Sequence, residues 1–305
     1  MSEPTTLDPV AAPLPEPPPD DGDSARRRGG DAWYELRRRP LFWTSAAILA
    51  LAGVMAAAPS LFARLAADER CDLLRAKRGP ADGHPFGFDV QGCDYWSQVV
   101  HGARPSLVVG TAVTLFALAV SVVLGSLAGY FGGAVDAVVS RLTDVFFGLP
   151  FVLGATVILV AFPGHGMWAI TLVLVALGWT TMTRIMRSQV IAVREADYVL
   201  AARALGAGHL RVMTRHILPN AFAPVFVVAM LNVGNVIAGE ATLDYLGVGL
   251  QYPTVSWGLQ LNTAQDFYAD HPHLLVFPAL FLSVTVLSFL LLGDAVRDAL
   301  DPRLR

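Results

Sequence analysis

Long uninterrupted runs of apolar residues dominate the pattern of hydrophobic and polar positions along the chain. Six runs of 17 to 25 residues contain no aspartate, glutamate, lysine or arginine. A helix needs about 20 residues to cross a hydrocarbon core of about 30 Å, so each run is close to or above the length of a membrane span. The predicted spans are residues 41–63, 106–130, 145–162, 167–183, 221–239 and 274–292. The pattern therefore predicts an all-α, polytopic bundle of six transmembrane helices.

Composition strengthens this prediction and excludes several functions. Hydrophobic residues make up 54% of the chain, charged residues only 15%, and the mean hydropathy is +0.51. Buried helices of soluble proteins rarely reach 18 residues without a charge, so a soluble core is a poor alternative. The net charge of −3 provides no overall basic field, and a nucleic-acid partner is therefore not expected. The expected partner of the surface is a lipid bilayer.

Arginine distribution predicts the orientation of the bundle. Sixteen arginines fall in the N-terminal segment, in two of the connecting segments and in the C-terminal segment. The other five, with Lys77, lie in residues 64–105, where six carboxylates accompany them. Cationic segments are retained on the cytoplasmic side of a membrane. We therefore predict a multi-pass protein of the cell membrane with both termini in the cytoplasm and residues 64–105 as an extracytoplasmic loop.

The residues before the first span divide into two parts. Seven prolines occur in the first twenty positions, and we expect residues 1–30 to be a disordered, cytoplasmic, proline-rich tail. Residues 31–40 interleave aromatic residues with arginines, which is typical of an interfacial elbow. A cleaved signal peptide is the alternative, but the length of the lead and of the apolar run favours an uncleaved anchor.

The chain has two cysteines, Cys71 and Cys93, and both fall in the predicted extracytoplasmic loop. Oxidation is permitted on that side of the membrane, so a disulfide is the favoured pairing and two free thiols are the alternative. A bridge across about 22 residues is expected to stabilise the loop by about 3 kcal/mol in the chain-entropy description.

Catalytic and cofactor motifs are missing from the sequence. There is no phosphate-binding G-x-x-x-x-G-K-[ST] motif and no known nucleophile or zinc motif, and His271 and His273 have no third ligand at metal-site spacing. The chain is therefore not expected to be an enzyme or to hold a metal or cofactor itself. No predicted span contains a charged residue or a histidine, which argues against an ion-coupled carrier without excluding it. Asp144, Arg184, Glu240 and Asp294 lie just outside span ends.

The cytoplasmic segment 184–220 is long enough to form a structure of its own. An alanine-rich helix is predicted around residues 197–205, followed by a turn at residues 206–208. A second helix is predicted over residues 209–217, ended by Pro219, with Asn220 as the N-cap of the next span. Small alanines allow close approach of another protein, and arginines offer donors to acidic partners. The segment is therefore predicted to dock in a groove of a partner.

Ala201 and Ala202 are followed after three residues by Gly206, and Leu218 and Pro219 follow after eleven more residues. With this spacing, the segment resembles the cytoplasmic EAA loop of ATP-binding-cassette (ABC) importer permeases, whose pattern is Glu-Ala-Ala, three residues, Gly, nine residues and Ile-x-Leu-Pro. Leu200 and His216 depart from that pattern at the Glu and Ile positions. Residues 84–110, 239–258 and 293–305 are also similar to segments of the dipeptide, oligopeptide and nickel permease family, in its C-type subunit.

The resemblance implies a type I importer permease fold for residues 41–305. It also implies a heterodimer with a sister permease, two cytosolic ATPase subunits that bind ATP and magnesium, and an extracytoplasmic solute-binding protein. The implied substrates are di- or oligopeptides, with nickel or another small solute as the alternative; a lone ion-coupled carrier and a structural scaffold are the more distant alternatives. The residues implied in ATPase coupling are Glu195, Asp197, Tyr198, Ala201, Ala202, Arg203, Gly206, Leu218 and Pro219.

Polar residues in the spans provide candidates for a translocation path. Asn232 and Asn235 lie in the fifth span, and Thr180 and Thr181, beside Trp179, lie near the end of the fourth. Hydrogen bonds between helices would explain them equally well. We expect Glu240 and Trp257 to act in gating or in docking of the binding protein at the outer face. Gly125, Gly129 and Gly133 form a G-x-x-x-G register and predict close helix packing.

Overall fold

The computed structural model describes Tyr34 and residues 36–63, 66–69, 71–161 and 166–300. The predicted tail, residues 1–30, and the last five residues of the C-terminal signature lie outside the described residues. The described part of the chain is helical, with two isolated β-bridges and no named strand. Its helices are α1 (Pro40–Ala57), α2 (Tyr95–Phe131), α3 (Gly133–Phe147), α4 (Phe151–Ala161), α5 (Met167–Gly178), α6 (Thr180–Arg194), α7 (Asp197–Ala204), α8 (His209–Tyr245), α9 (Trp257–Ala264) and α10 (His273–Leu300).

Two of the six predicted spans are broken helix pairs. Four helices, α1, α2, α8 and α10, are long and apolar enough to cross a membrane, and the described residues contain up to six spans if each bent pair counts as one. The α3–α4 pair bends by 85° and the α5–α6 pair by 45°. Pro150 disfavours a helical conformation in the residue before it, which accounts for the first break. The third and fourth predicted spans are therefore present as bent helix pairs, and the charge-free runs do not indicate the bends.

Helix α2 begins at Tyr95 rather than at residue 106. Asp94 caps it: one carboxylate oxygen accepts hydrogen bonds from the backbone N–H and the hydroxyl of Ser97, at 2.9 and 2.7 Å. The predicted start depended on the absence of charge, whereas a helix outside the hydrocarbon layer tolerates polar residues and starts at its cap. In contrast, α1 ends at Ala57, before the predicted residue 63, because Pro59 cannot continue an α-helix.

The centre of the bundle is the close packing of α2 against α6. Neither Gly125 nor Gly129 of α2 has room for a Cβ atom, which would lie 2.8 Å from the backbone oxygens of Thr183 and Arg187 respectively. These two glycines form the close-packing register that the sequence predicts. Gly133 does not, because it begins α3 with φ +54° and nothing within 4 Å of a Cβ position.

The interfacial segment before α1 packs against the end of α10. Leu36 is buried against Ala295 and Ala299, and Arg39 donates a hydrogen bond to Asp298 at 2.7 Å. On the opposite side of the bundle, Cys71 and Cys93 form a disulfide that closes the loop leading into α2. The predicted cytoplasmic ends and the predicted extracytoplasmic loop thus lie at opposite ends of the same helices.

Candidate functional site

An elbow of two helical arms, residues 195–217, follows α6; its first arm is α7 and its second arm is the beginning of α8. Its first helix, α7, ends in a Schellman motif: the Ala207 N–H donates to the Ala202 oxygen at 3.0 Å and the Gly206 N–H to the Arg203 oxygen at 2.9 Å. Gly206 has φ +84°, a conformation that side-chain-bearing residues rarely adopt. The turn predicted at this glycine is therefore present, and it depends on the glycine backbone.

The second arm of the elbow does not end at Pro219. The turns of Val212–Ile217 widen into a π-helix, and the chain continues into Leu218–Tyr245 with Pro219 in its first turn. A widened turn accommodates a proline ring that would clash with the carbonyl four residues earlier. Asn220 is not an N-cap, because its side-chain amide donates to the His216 oxygen at 2.7 Å. The elbow is thus continuous with the membrane-spanning helix α8.

The two faces of the elbow have different roles in packing. Val199, Val212 and Ile217 are fully buried in one cluster, which fixes the elbow against the bundle. Leu205 and Leu210, on either side of the Gly206 turn, are 89% and 78% exposed. Exposed leucines at the tip of a rigid turn form a small apolar surface suited to contact with another protein.

Tyr130, near the end of α2, connects the elbow to the bundle. Its hydroxyl is hydrogen-bonded to Nδ1 of His209 at 2.8 Å, and the guanidinium of Arg203 lies 5.0 Å from its ring centroid. Arg194 donates to the backbone oxygens of Gly129 and Tyr130 at 3.1 and 3.2 Å. Arg203 thus faces inward, whereas the sequence analysis places it at a partner interface. Tyr130 is not among the residues predicted from the sequence, where its only signal is an aromatic residue at the end of a span.

A cavity of about 400 Å³ lies where the two helix pairs break. Its walls come from the ends of α3, α4, α5 and α6 and from the middle of α8. The lining residues are Phe146, Phe147, Leu149, Phe151, Leu177, Gly178, Thr180, Thr181, Asn232, Asn235 and Val236. The two helix breaks therefore create an open cavity in the predicted membrane region.

Four of the polar residues predicted for a translocation path meet in this cavity. Asn232, Asn235, Thr180 and Thr181 all line it, and Asn235 and Thr181 are exposed. Asn232 also donates a weak hydrogen bond to Thr114 at 3.4 Å, so the interhelical role left open by the sequence is present as well. Trp179 is buried behind the cavity wall, with its indole N–H bonded to the Ala176 oxygen.

Glu240 and Trp257 are fully buried and do not line the cavity. The carboxyl group of Glu240 interacts with that of Asp244, which accepts hydrogen bonds from the Leu250 backbone and the Ser256 hydroxyl. The Trp257 indole donates to the Val99 oxygen at 2.9 Å. Neither side chain is accessible to a docking partner, so the expectation of direct docking contact is wrong, whereas a role in gating stays a prediction. Helix α8 continues past the predicted span end, and the loop after it folds back over both residues.

Comparison with known families agrees with this architecture. Residues 121–305 match the family described as "Binding-protein-dependent transport system inner membrane component". The chain belongs to this family. As an inner membrane component, it is the membrane-spanning part of a transport system rather than a catalytic subunit, and the matched residues include the elbow and every wall of the cavity.

Curated relatives of this inner membrane component are permease proteins. It is 36% identical to the dipeptide transport system permease protein DppC of Bacillus subtilis over 90% of this chain and 86% of the relative. It is 35% identical to the oligopeptide transport system permease protein OppC of the same organism over 90% of both chains. It is 34% identical to the glutathione transport system permease protein GsiD of Escherichia coli over 93% of both chains.

The fold has a counterpart among solved structures. A chain of an amino acid ABC transporter crystallised with histidines aligns with a TM-score of 0.52 at 15% identity, covering 66% of this chain and 92% of that chain. At this identity the similarity concerns the fold alone. It agrees with the type I importer permease architecture expected from the sequence.

Proposed function

We propose that this chain is one of two membrane subunits of an ATP-driven importer of di- or oligopeptides. The observation that carries the proposal is the similarity, over nine-tenths of the chain, to permease proteins named for dipeptide and oligopeptide transport. The partners would be a sister permease, an extracytoplasmic solute-binding protein and two cytosolic ATPase subunits. ATP and magnesium would be bound by the ATPases.

The chemistry of the cavity supports a peptide as cargo. Its described lining residues carry two side-chain amides, two hydroxyls and three phenyl rings, without a charged group. Amides and hydroxyls can exchange hydrogen bonds with any peptide backbone, and phenyl rings accept apolar side chains. Such a lining discriminates little between peptide sequences, so selection would reside mainly in the binding protein.

The elbow supports a separate ATPase as the source of energy. Because Gly206 and the buried cluster make the elbow rigid, force applied at its leucine tip would pass directly to α6 and α8, which it joins. Through Tyr130, the same force would reach α2. Alternating access then requires two states of the bundle with different contacts, which the ATPase cycle would favour in turn.

The test is reconstitution of the assembled complex. We expect affinity purification through this chain to recover a second permease and ATPase subunits, and proteoliposomes with the binding protein to take up a labelled dipeptide only with ATP and magnesium. ATP-driven uptake of nickel without uptake of peptide would replace the substrate assignment. Uptake by the chain alone, without nucleotide, would refute the assignment to an ATP-driven complex.

Tyr130 provides a prediction about coupling. Its replacement by alanine removes the ring beneath Arg203 and the hydrogen bond to His209, each contributing about 1 kcal/mol. We expect Tyr130→Ala to lower peptide moved per ATP hydrolysed about tenfold, while Tyr130→Phe, which keeps the ring, has an intermediate effect. Paired uptake and ATPase assays measure this ratio. The control is Tyr245→Ala, which replaces an exposed tyrosine at the end of α8 far from the elbow. An equal loss of coupling in that variant would contradict the prediction.

A further inference from the structure

Two ion pairs connect α3 to α6 beside the cavity. Arg184 donates to Asp144 at 2.8 Å through Nη2 and Oδ1. Arg187 binds Asp136 through two hydrogen bonds, Nε to Oδ1 and Nη2 to Oδ2, the latter at 2.6 Å. Helices α3 and α6, one from each broken pair, are therefore joined by ion pairs as well as by packing.

The Asp144–Arg184 pair lies one helical turn from the cavity, on the side predicted to be cytoplasmic. Asp144 precedes Phe147 by three residues in α3, and Arg184 follows Thr181 by three residues in α6. Phe147 and Thr181 both line the cavity. The Arg184 guanidinium also lies 4.4 Å from the centroid of the Phe147 ring. The pair thus positions an aromatic wall of the cavity.

The two ion pairs differ in how easily they can separate. The Asp136–Arg187 pair is bidentate and only 23% and 34% exposed, and Arg187 lies against Gly125 of α2. The Asp144–Arg184 pair has one hydrogen bond and is 56% and 42% exposed. Exposed ion pairs of this kind contribute little net stability, so a modest force can break them. The first pair fastens α3 to the core, whereas the second can open and close.

We propose that Asp144, Arg184 and Phe147 form the cytoplasmic gate of the cavity. In the closed gate, the ion pair holds α3 to α6 and keeps the Phe147 ring, which is 59% exposed, at the cytoplasmic edge of the cavity. In the proposed cycle, α6, which ends at Arg194 directly before the elbow, pivots about the Asp136–Arg187 pair when the elbow moves, and this pivot displaces Arg184 relative to Asp144. Separation of the pair releases the Phe147 ring and widens this edge of the cavity. The gate deepens the proposed function, on which its role in peptide transport rests.

Passive leakage tests the gate, because a residue with only a structural role would not alter it. Proteoliposomes of the whole complex are loaded with labelled glycylglycine and labelled mannitol, and efflux is measured without ATP. We expect Asp144→Asn and Arg184→Gln each to raise efflux of both labels about fivefold, the change in population that loss of an exposed ion pair produces. The charge swap, Asp144→Arg with Arg184→Asp, is expected to restore low efflux.

The matched control is Arg141→Gln, which removes an exposed arginine from the same helix, three residues from Asp144. Equal efflux from wild type and both single variants would overturn the gate, as would equal leakage from the control. If Arg184→Gln fails to assemble, Arg184→Lys takes its place in the test; it keeps the positive charge and is expected to retain low efflux. Leakage from Arg184→Lys comparable to that of Asp144→Asn would also count against the gate. A wild-type complex that moves no peptide with ATP would refute the peptide assignment, whereas leakage of mannitol through the single variants would still support the gate.

Discussion

Replacing Gly206 with valine is expected to reduce ATP-driven uptake more than tenfold while the chain still inserts into the membrane. Gly206 has φ +84°, and no atom lies within 4 Å of a Cβ position, so the penalty comes from backbone conformation and not from crowding. A residue with a side chain pays about 1–2 kcal/mol in this region, and a β-branched residue pays more. Since 1.4 kcal/mol is about a factor of ten in population, the ratio of the native turn to other conformations falls about tenfold or more.

The neighbouring Gly208 provides the matched control for this prediction. It also has open space around its Cβ position, but its φ of −67° and ψ of 155° are accessible to any residue. We therefore expect Gly208→Val to retain most of the uptake measured with labelled dipeptide in proteoliposomes. Equal loss in the two variants would mean that added bulk at the elbow surface is responsible. Full activity of Gly206→Val would show that the Schellman turn is not required for coupling.

Replacing Gly129 with leucine is expected to destabilise the whole complex. A Cβ atom at Gly129 would lie 2.8 Å from the Arg187 oxygen and 2.9 Å from two carbon atoms of Val190, and backbone atoms cannot move aside cheaply. Overpacking of a core costs about 1–3 kcal/mol, which corresponds to a fall in melting temperature of roughly 5 °C. The measurement is the temperature at which half of the detergent-solubilised complex loses its monodisperse elution peak.

Gly53 in α1 is the matched control for this experiment. It also lies in an apolar helix, but nothing lies within 4 Å of its Cβ position. Gly53→Leu is expected to leave the melting temperature within about 1 °C of wild type, since the added side chain creates no steric clash. If Gly129→Leu has the same small effect, α2 and α6 can separate without cost, and the close contact is not a determinant of stability. Gly125→Leu, which would meet Thr183 and Met186, is expected to behave like Gly129→Leu.

The local sequence pattern predicts the location of some polar residues but not of others. That Asn232 and Asn235 line a cavity is predictable, because burying an amide inside an apolar run costs free energy unless a hydrogen-bond partner or a cavity is present. Glu240 looks like a residue at the end of a span, yet it is fully buried. The difference comes from the loop after α8, where Ser256 and the Leu250 backbone bond to Asp244, and no periodicity in the sequence predicts how such a loop folds back.

Helix breaks show the same division. The charge-free runs at residues 145–162 and 167–183 predict spans of the right length. The bends of 85° and 45°, however, depend on whether neighbouring helices supply hydrogen-bond partners for the backbone groups left unpaired at each break. At the second break, the Trp179 oxygen accepts hydrogen bonds from the hydroxyls of Ser121 and Thr183. Ser121 is far away in sequence, so its contribution follows only from the packing of α2 against α6.

The sequence by itself determined the class of molecule, the segments that enter the membrane, their predicted orientation and the turn at Gly206. These properties depend on local hydrophobicity, arginine position and backbone freedom, which each residue carries wherever it is placed. Only the tertiary structure decided that two spans are broken around a cavity, that Asp144 meets Arg184 beside it, and that Tyr130 holds the elbow. Those contacts join residues 40 to 79 positions apart, and they exist only because the helices pack in one particular arrangement.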